Sequence, residues 1–384
     1  MTAKVMLTEY VNWIRGTALP LWAERGFDPE HGRFRERLDQ TAQPLPVPHR
    51  AMVQARQIFV FAHAAEEGWY KEGDRLAETA MASLQRDFAQ TAGDEASFAF
   101  SIDPVSGAVL SPVRDAYAHA FLLFSIAALY RLNGDLALLN LADRIINFMQ
   151  RRLTDPIYGG LFDALPAPAE KRQNPHMHLL EAYLFLERAA PGRGYGDRAK
   201  QLVQLFRRHF FRDGLLLEYF EPDWTIGERA AWEPGHHFEW VWLLGEYTAL
   251  TGDDLTPEMD MLYTAATRQG FAADGLIVDE LSPEGTVLKP SRRVWPHTEA
   301  IKAAATRHAA GDPKAKLFGD EMAAALMRHF LDRPFAGGWV DHLTPEGDAL
   351  VDYVPASSLY HLALAGSVAA KGFAAAPALA KAGA

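Results

Sequence analysis

EPGHHFEWVWLLGEYTAL, residues 233–250, decides the fold class. Its apolar side chains run almost all the way round a helix: Phe238, Trp240, Val241, Trp242, Leu243, Leu244 and Tyr247 leave no broad polar face. Pro234 suits the first turn of such a helix. A helix that is apolar on every side must be enclosed by others. The stretches around it supply the enclosure. RAKQLVQLFRRHFF (198–211) carries i, i+3, i+4 apolar spacing on one side and charge on the other, and the same pairing of an enclosed with a one-sided helix recurs. HMHLLEAYLFLERAA (176–190) precedes that one-sided helix, and RDAYAHAFLLFSIAALYRL (114–132) precedes LALLNLADRIINFMQRRL (136–153).

Turn signals space these pairs out. Glycine turns followed by short apolar runs occur around Gly32, Gly107, Gly160, Gly214, Gly275 and Gly338, an irregular repeat of about sixty residues. Several runs meet a second turn, as in SPEG (282–285) and TPEG (344–347), which predicts small β-hairpins. Six units, each with an inner and an outer helix, predict an all-α (α/α)6 barrel: a toroid of six inner and six outer helices with short hairpins in the loops. An open helical solenoid shares this period, but six units is what a closed ring needs. The length of 384 residues would allow two or three domains. The one Pro-rich stretch, QTAQPLPVPHR (40–50), is short and runs straight into an apolar helix. The expectation is therefore one catalytic domain over residues 1–384.

Composition removes several functions. Lys+Arg 38 against Asp+Glu 49 gives a net charge of −11, without the basic field that nucleic-acid binding requires. No uninterrupted apolar run approaches eighteen residues, so no membrane partner is expected. The N-terminal segment carries Glu9 and Arg15 among its apolar positions and reads as an amphipathic helix rather than a signal peptide; a cytoplasmic location follows as an expectation. The absence of cysteine excludes thiol nucleophiles, thiolate metal sites and disulfides, leaving 14 histidines and the carboxylates to carry any catalysis.

In a closed ring, one end of the inner helices gathers around a central funnel. The starts of the inner helices are where His, Glu, Arg and Trp interrupt apolar surroundings: HRAMVQARQIFVFAHA (49–64), RDAYAHAF (114–121), NPHMHLLEAY (174–183), EPGHHFEWVW (233–242), RRVWPHTEAIKA (292–303) and DYVPASSLYHLALA (352–365). His178 with Glu181 and His236 with Glu239 are i, i+3 pairs, and Trp295 with Glu299 is an i, i+4 pair, so each shares a helix face. His176 with His178 and His236 with His237 cannot chelate a metal from within one helix, and no metal is expected. Pro175 and Pro234 put His178 and His236 near positive helix ends, which predicts neutral rings available as bases, with a Glu on the same face holding the tautomer. His361 and Arg56 stand in apolar stretches where a lone polar residue is usually structural. Matching placement in the other repeats favours a shared site instead. Trp295 could be core or a stacking platform for the apolar face of a sugar. Polar, aromatic and neutral groups without a Gly-rich phosphate loop suit a carbohydrate.

MVQARQIFVFAHA, NPHMHLLEAY, PGHHFEWVWLL, VWPHTEAIKA and SLYHLAL, in that order, resemble the N-acylglucosamine 2-epimerase superfamily over essentially the whole chain. The resemblance implies an (α/α)6 barrel without a cofactor, moving a proton at the carbon beside a sugar carbonyl. It implies Arg56 as a contact to substrate oxygens, His236 and His361 as acid/base residues, and Asn174, His178, Glu181, Glu239, Trp295 and Glu299 as the binding and orienting shell, with Tyr117 a looser match. Trp240 directly after Glu239 is more similar to the aldose–ketose isomerase branch, which points to a free aldose such as D-mannose. The alternative is a sugar 2-epimerase. The partner expected is a small monosaccharide, and a homodimer is allowed. The same ring also carries glycoside hydrolases, but those need two carboxylates flanking the scissile bond, whereas histidines dominate here.

Overall fold

The computed structural model describes residues 6–374. Twelve helices alternate along them: α1 (6–24), α2 (Ala51–Glu66), α3 (Gly73–Asp87), α4 (Ala116–Asn133), α5 (136–153), α6 (Asn174–Ala189), α7 (195–210), α8 (Pro234–Thr251), α9 (Thr256–Gln269), α10 (Trp295–Ala309), α11 (315–330) and α12 (Leu359–Gly372). The even-numbered helices form the inner ring and the odd-numbered ones the outer. Burial follows the sequence pattern. Every residue of α8 from Pro234 to Leu244 is buried, whereas α3 buries only the stripe through Leu76, Ala77, Ala80, Met81 and Leu84 with its neighbours. No described helix is long and apolar enough to cross a membrane.

The ring is closed. α12 packs against α2, and α1 packs against both α11 and α12, where Tyr10 donates to the Leu362 carbonyl at 2.7 Å. Closure also runs through backbone pairing, because the segment just before each inner helix pairs antiparallel with the next repeat. His49–Arg50 pairs with Ser101–Ile102, Arg114–Asp115 with Ala164–Leu165, and Lys171–Arg172 with Tyr219–Phe220. Trp232 bridges Leu281, and Arg292–Arg293 pairs with His342–Leu343. Tyr353–Pro355 then returns to Arg37–Asp39 of the first repeat. These six pairings make a collar around the funnel mouth and fix where each inner helix begins. An open solenoid has no such return contact.

A hairpin follows each outer helix, and one of the expected turns is corrected. In the second repeat the equivalent turn lies at Gly93, between Ala89–Ala92 and Glu95–Phe98, not at Gly107. Gly107 belongs to an additional hairpin, between Ser101–Ile102 and Val109–Ser111. With Gly93 in place, the first two intervals become 61 and 67 residues instead of 75 and 53. The irregularity came from counting the stronger of two turn signals in one long loop.

Five of the six hairpins are tied to the inner helix that follows by one buried polar side chain. His119, His176, His237 and His297 each accept at Nε2 from a hairpin N–H, those of Phe98, Leu161, Leu216 and Ile277, at 2.8–3.2 Å. Each donates from Nδ1 to the carbonyl four residues earlier, of Asp115, Arg172, Glu233 and Arg293. This fixes one neutral tautomer, with both ring nitrogens satisfied by backbone. Burial pushes the rings down to about 4, and His237 to about 3. Gln54 does the same task in the first repeat, bonding both polar groups of Phe34.

Candidate active site

Two residues beyond each of these latches the chain reaches the funnel. That register position is Arg56 on α2, Phe121 on α4, His178 on α6, Glu239 on α8, Glu299 on α10 and His361 on α12, where Leu359 stands in for the latch. One turn fixed by the collar and one by the hairpin therefore aim six side chains at a common centre. They surround a cavity of about 590 Å³, which Arg56, Tyr117, Asn174, His178, His236, Glu239, Trp295 and His361 help to line. Glu181 and Glu299 lie beneath it, fully buried. All ten residues singled out in the sequence are thus brought together.

The three funnel histidines are each held by a carboxylate. His178 Nδ1 lies 3.1 Å from Glu181 Oε2, as the i, i+3 spacing predicts. His361 Nδ1 lies 2.8 Å from Glu299 Oε1, across two helices. His236 departs from expectation: Glu239 does not hold it. Its Nδ1 lies 2.9 Å from Glu218 Oε1 and 3.7 Å from Glu233 Oε2. Its Nε2 is 3.2 Å from the Asn174 side-chain amide, which can serve as donor to the neutral ring or, rotated, as acceptor from the charged one.

These partners give the rings different charges. Burial, then the positive charges of Arg56 and Lys302, hold His361 well below the ordinary histidine value. Burial and Arg56 do the same to His178. For His236 burial acts in the same direction, but the charges of Glu218 and Glu233 outweigh it and raise the ring to about 9. The neutral His236 expected from its helix-end position is therefore corrected to an imidazolium at neutral pH. The helix terminus loses to two carboxylates within 4 Å.

Arg56 donates to the Ser357 carbonyl at 3.0 Å and to the Tyr117 hydroxyl, and its guanidinium lies 4.2 Å from the Phe121 ring centroid. It is buried, so this packing leaves its free N–H groups aimed inward. Trp295 is half-buried and stands between the imidazoles, its ring 4.8 Å from His236 and 5.5 Å from His361. Gly235 makes room for it, because a Cβ there would lie 2.5 Å from the Trp295 ring. Glu239 is fully buried, and neither of its oxygens has a hydrogen-bond partner. Burial and the neighbouring Glu299 charge push it well above the carboxylate range, so it is a neutral acid facing the cavity.

Three groups of these side chains have metal-ligand spacing: His178 with Glu181 and Glu239, Glu218 with Glu233 and His236, and Glu239 with Glu299 and His361. Most of their donors are already engaged, Glu239 excepted. Glu218 accepts from His236 and Gln173, Glu233 is paired with Arg293, and the ammonium of Lys302 lies 2.6 Å from Glu299 and 4.0 Å from Glu239. The cation beside Glu299 is a side chain.

Sequence reasoning missed Glu218, Glu233, Lys302 and Tyr360, whose hydroxyl lies 2.6 Å from both Glu181 oxygens. Lys302 was legible, since it is i+3 from Glu299. Glu218 lies outside any helix, where spacing tests have no purchase.

The family model for N-acylglucosamine 2-epimerase (GlcNAc 2-epimerase) matches residues 32–365. The chain is 30% identical over 369 residues to a mannose-6-phosphate isomerase of Rhizobium meliloti, covering 92% of this chain and 94% of that protein. It is 28% identical over 302 residues to a D-mannose isomerase of Thermobifida fusca, covering 72% of each. The solved structure of cellobiose 2-epimerase from Spirochaeta thermophila superposes with a TM-score of 0.86 at 25% identity, covering 96% of both chains.

Proposed function

Because the chain belongs to the N-acylglucosamine 2-epimerase family, we propose that it is an aldose–ketose isomerase, interconverting a free aldose such as D-mannose with D-fructose through a cis-enediol. The carrying observation is the pair of unlike histidines beside Trp295: a neutral His361 and a charged His236.

A hydrogen on the carbon beside a carbonyl is a weak acid, so its removal needs a neutral base and stabilisation of the oxygen that gains charge. His361, with its proton held on Nδ1 by Glu299, takes the C2 proton at Nε2 and returns it to C1 on the same face. A second proton passes from O2 to O1, which balances the conversion of aldose to ketose. Arg56, with Tyr117, supports the enediolate oxygens. His236 starts charged and serves ring opening: it gives a proton to the ring oxygen, and the neutral ring left behind takes the proton that the anomeric hydroxyl loses as the carbonyl forms. Trp295 offers a face for the apolar side of the sugar. Asn174, His178, Glu181 and Glu239 hold and orient the substrate and these rings.

An unphosphorylated sugar is the better fit, although one relative is named for a phosphorylated one. The cations around the mouth are already matched: Arg293 by Glu233 and Asp279, Arg172 by Asp163, and Lys289 by Glu280. A cytoplasmic location belongs to the same reading. The 2-epimerase reading rests on one observation, that two imidazoles lie beside the same tryptophan ring, since epimerisation needs an acid and a base on opposite faces of C2.

Incubation with mannose, glucose, fructose, lyxose and N-acetylmannosamine in heavy water, read by NMR, tests it. Ketose carrying deuterium at C1 is expected. An aldose labelled at C2 without ketose would establish the epimerase instead, and activity abolished by EDTA would overturn the metal-free mechanism.

A further inference from the structure

The funnel floor holds a cation that none of these steps uses. Lys302 is fully buried on α10, one turn beyond Glu299. Its Nζ lies 2.6 Å from Glu299 Oε2, 4.0 Å from Glu239 Oε1 and 3.9 Å from the centroid of the Trp242 ring. The other oxygen of Glu299 receives His361 Nδ1 at 2.8 Å. The three groups form one line, from ammonium to carboxylate to imidazole.

We infer that Lys302 is a positioning residue: its ammonium keeps Glu299 ionised, and the ionised Glu299 keeps the His361 proton on Nδ1, leaving Nε2 unprotonated for the substrate. This rests on the reading of His361 as the carrier of the proton between C2 and C1.

The charge balance of the floor explains why the lysine is needed. Glu181 from α6, Glu239 from α8 and Glu299 from α10 are all buried and close together, so burial and mutual repulsion favour protonation of each. The other cations facing them are Arg56 from α2 and His236 from α8, and His236 is already committed to Glu218. Lys302 is the cation in ion-pair contact with Glu299. Without it, Glu299 takes up a proton and becomes a donor. A carboxyl that donates to Nδ1 needs that nitrogen's lone pair, so the ring proton moves to Nε2. His361 would then present an N–H to the sugar, and an N–H cannot accept the C2 proton. A lysine serving only to fill the core would not be set in ion-pair contact with the one carboxylate that orients the base, and a buried ammonium persists only when so paired.

The test reads the tautomer directly in the full-length, substrate-free protein. Nitrogen-15 NMR of His361 is expected to show the proton on Nδ1 in the wild type and on Nε2 in Lys302→Met. Heavy-water exchange should show kcat reduced roughly 10- to 100-fold in the variant, with KM nearly unchanged. Lys302→Gln gives the same readout if the methionine variant does not fold. Carbon-13 shifts of Glu299 in the wild type supply an arm that needs no variant: an ionised carboxylate between pH 6 and 8 is expected. A protonated Glu299 in the wild type would overturn the inference. So would a folded variant that keeps the Nδ1 proton, whether or not its activity falls. If the wild type exchanges no substrate hydrogen, the isomerase reading fails while the tautomer result still stands.

Discussion

His176 and His178 stand two residues apart on α6, yet one belongs to the hairpin layer and the other to the funnel floor. His176 accepts from the Leu161 N–H and donates to the Arg172 carbonyl, so both nitrogens are spent on backbone. His178 gives one nitrogen to Glu181 and keeps the other out of the backbone scheme. The same contrast separates the adjacent His237 and His236. Backbone groups do not titrate, so a latch ring has a single useful state. A carboxylate partner does titrate and carries charge, so it can set the ring to either state: His361 is neutral and His236 charged, though both are buried and carboxylate-bound. Burial alone holds these rings neutral, and only charged neighbours close enough to outweigh it, as Glu218 and Glu233 are for His236, reverse that state.

The widest separation between the two groups should appear on removing one member of each. His361→Ala is expected to lower turnover by at least roughly 10²–10⁴-fold, the usual worth of a positioned acid/base group, while sugar binding and thermal stability persist. Binding measured by calorimetry beside turnover in heavy water checks this, and turnover near the wild-type rate would remove His361 from the mechanism. His119→Ala should do the reverse. It orphans the Phe98 N–H and opens a cavity beside Phe148, costing about 2–4 kcal/mol in denaturant unfolding and leaving kcat unchanged.

Acid and alkali should also divide the groups, with opposite signs. The latch rings have folded values near 4 or below against 6.5 unfolded, so their contribution to stability is complete above about pH 6.5. It is lost as pH falls towards 4, by about 1.4 kcal/mol per pH unit for each ring. His119→Ala should therefore flatten the acid limb of a stability–pH curve by one ring's worth. His236, raised to about 9, contributes stability fully below about 6.5 and loses it as pH rises through 9. Activity that needs its proton should fall above about pH 9. Glu218→Gln should move that alkaline limb to lower pH, since the largest charge raising the ring is removed; an unmoved limb would show that another group titrates there.

The contrast between the layers also explains what the sequence could and could not reveal. Enclosed and one-sided helices alternate because burial acts on whole faces, and that periodicity survives in the chain as written. The funnel residues were legible because they stand near the starts of enclosed helices, where a polar group has few other reasons to be. The charge on His236 was not legible, because Glu218 reaches it from LLLEYF, a segment with no helical phase. Lys302 was passed over although its partner Glu299 is i+3 on the same helix, because a lysine is almost never fully buried unless paired and Glu299 was read only as part of the binding shell. Gly107 displaced Gly93 because DPVSG is a stronger local turn signal than TAGDE, although only the latter follows an outer helix directly.

The smallest effect expected falls on Trp295, which separates the two unlike imidazoles. Its indole is half-buried and touches both rings, so it combines packing with a face for the sugar. Trp295→Leu should raise KM for mannose roughly 3- to 10-fold, the range of one aromatic stacking contact, with kcat reduced less. If the loss were confined to kcat, the ring would act by holding the spacing of His236 and His361 instead of by binding. The comparison between the histidine layers would then extend to a third kind of residue: an aromatic wall that keeps a charged and a neutral imidazole from sharing one proton.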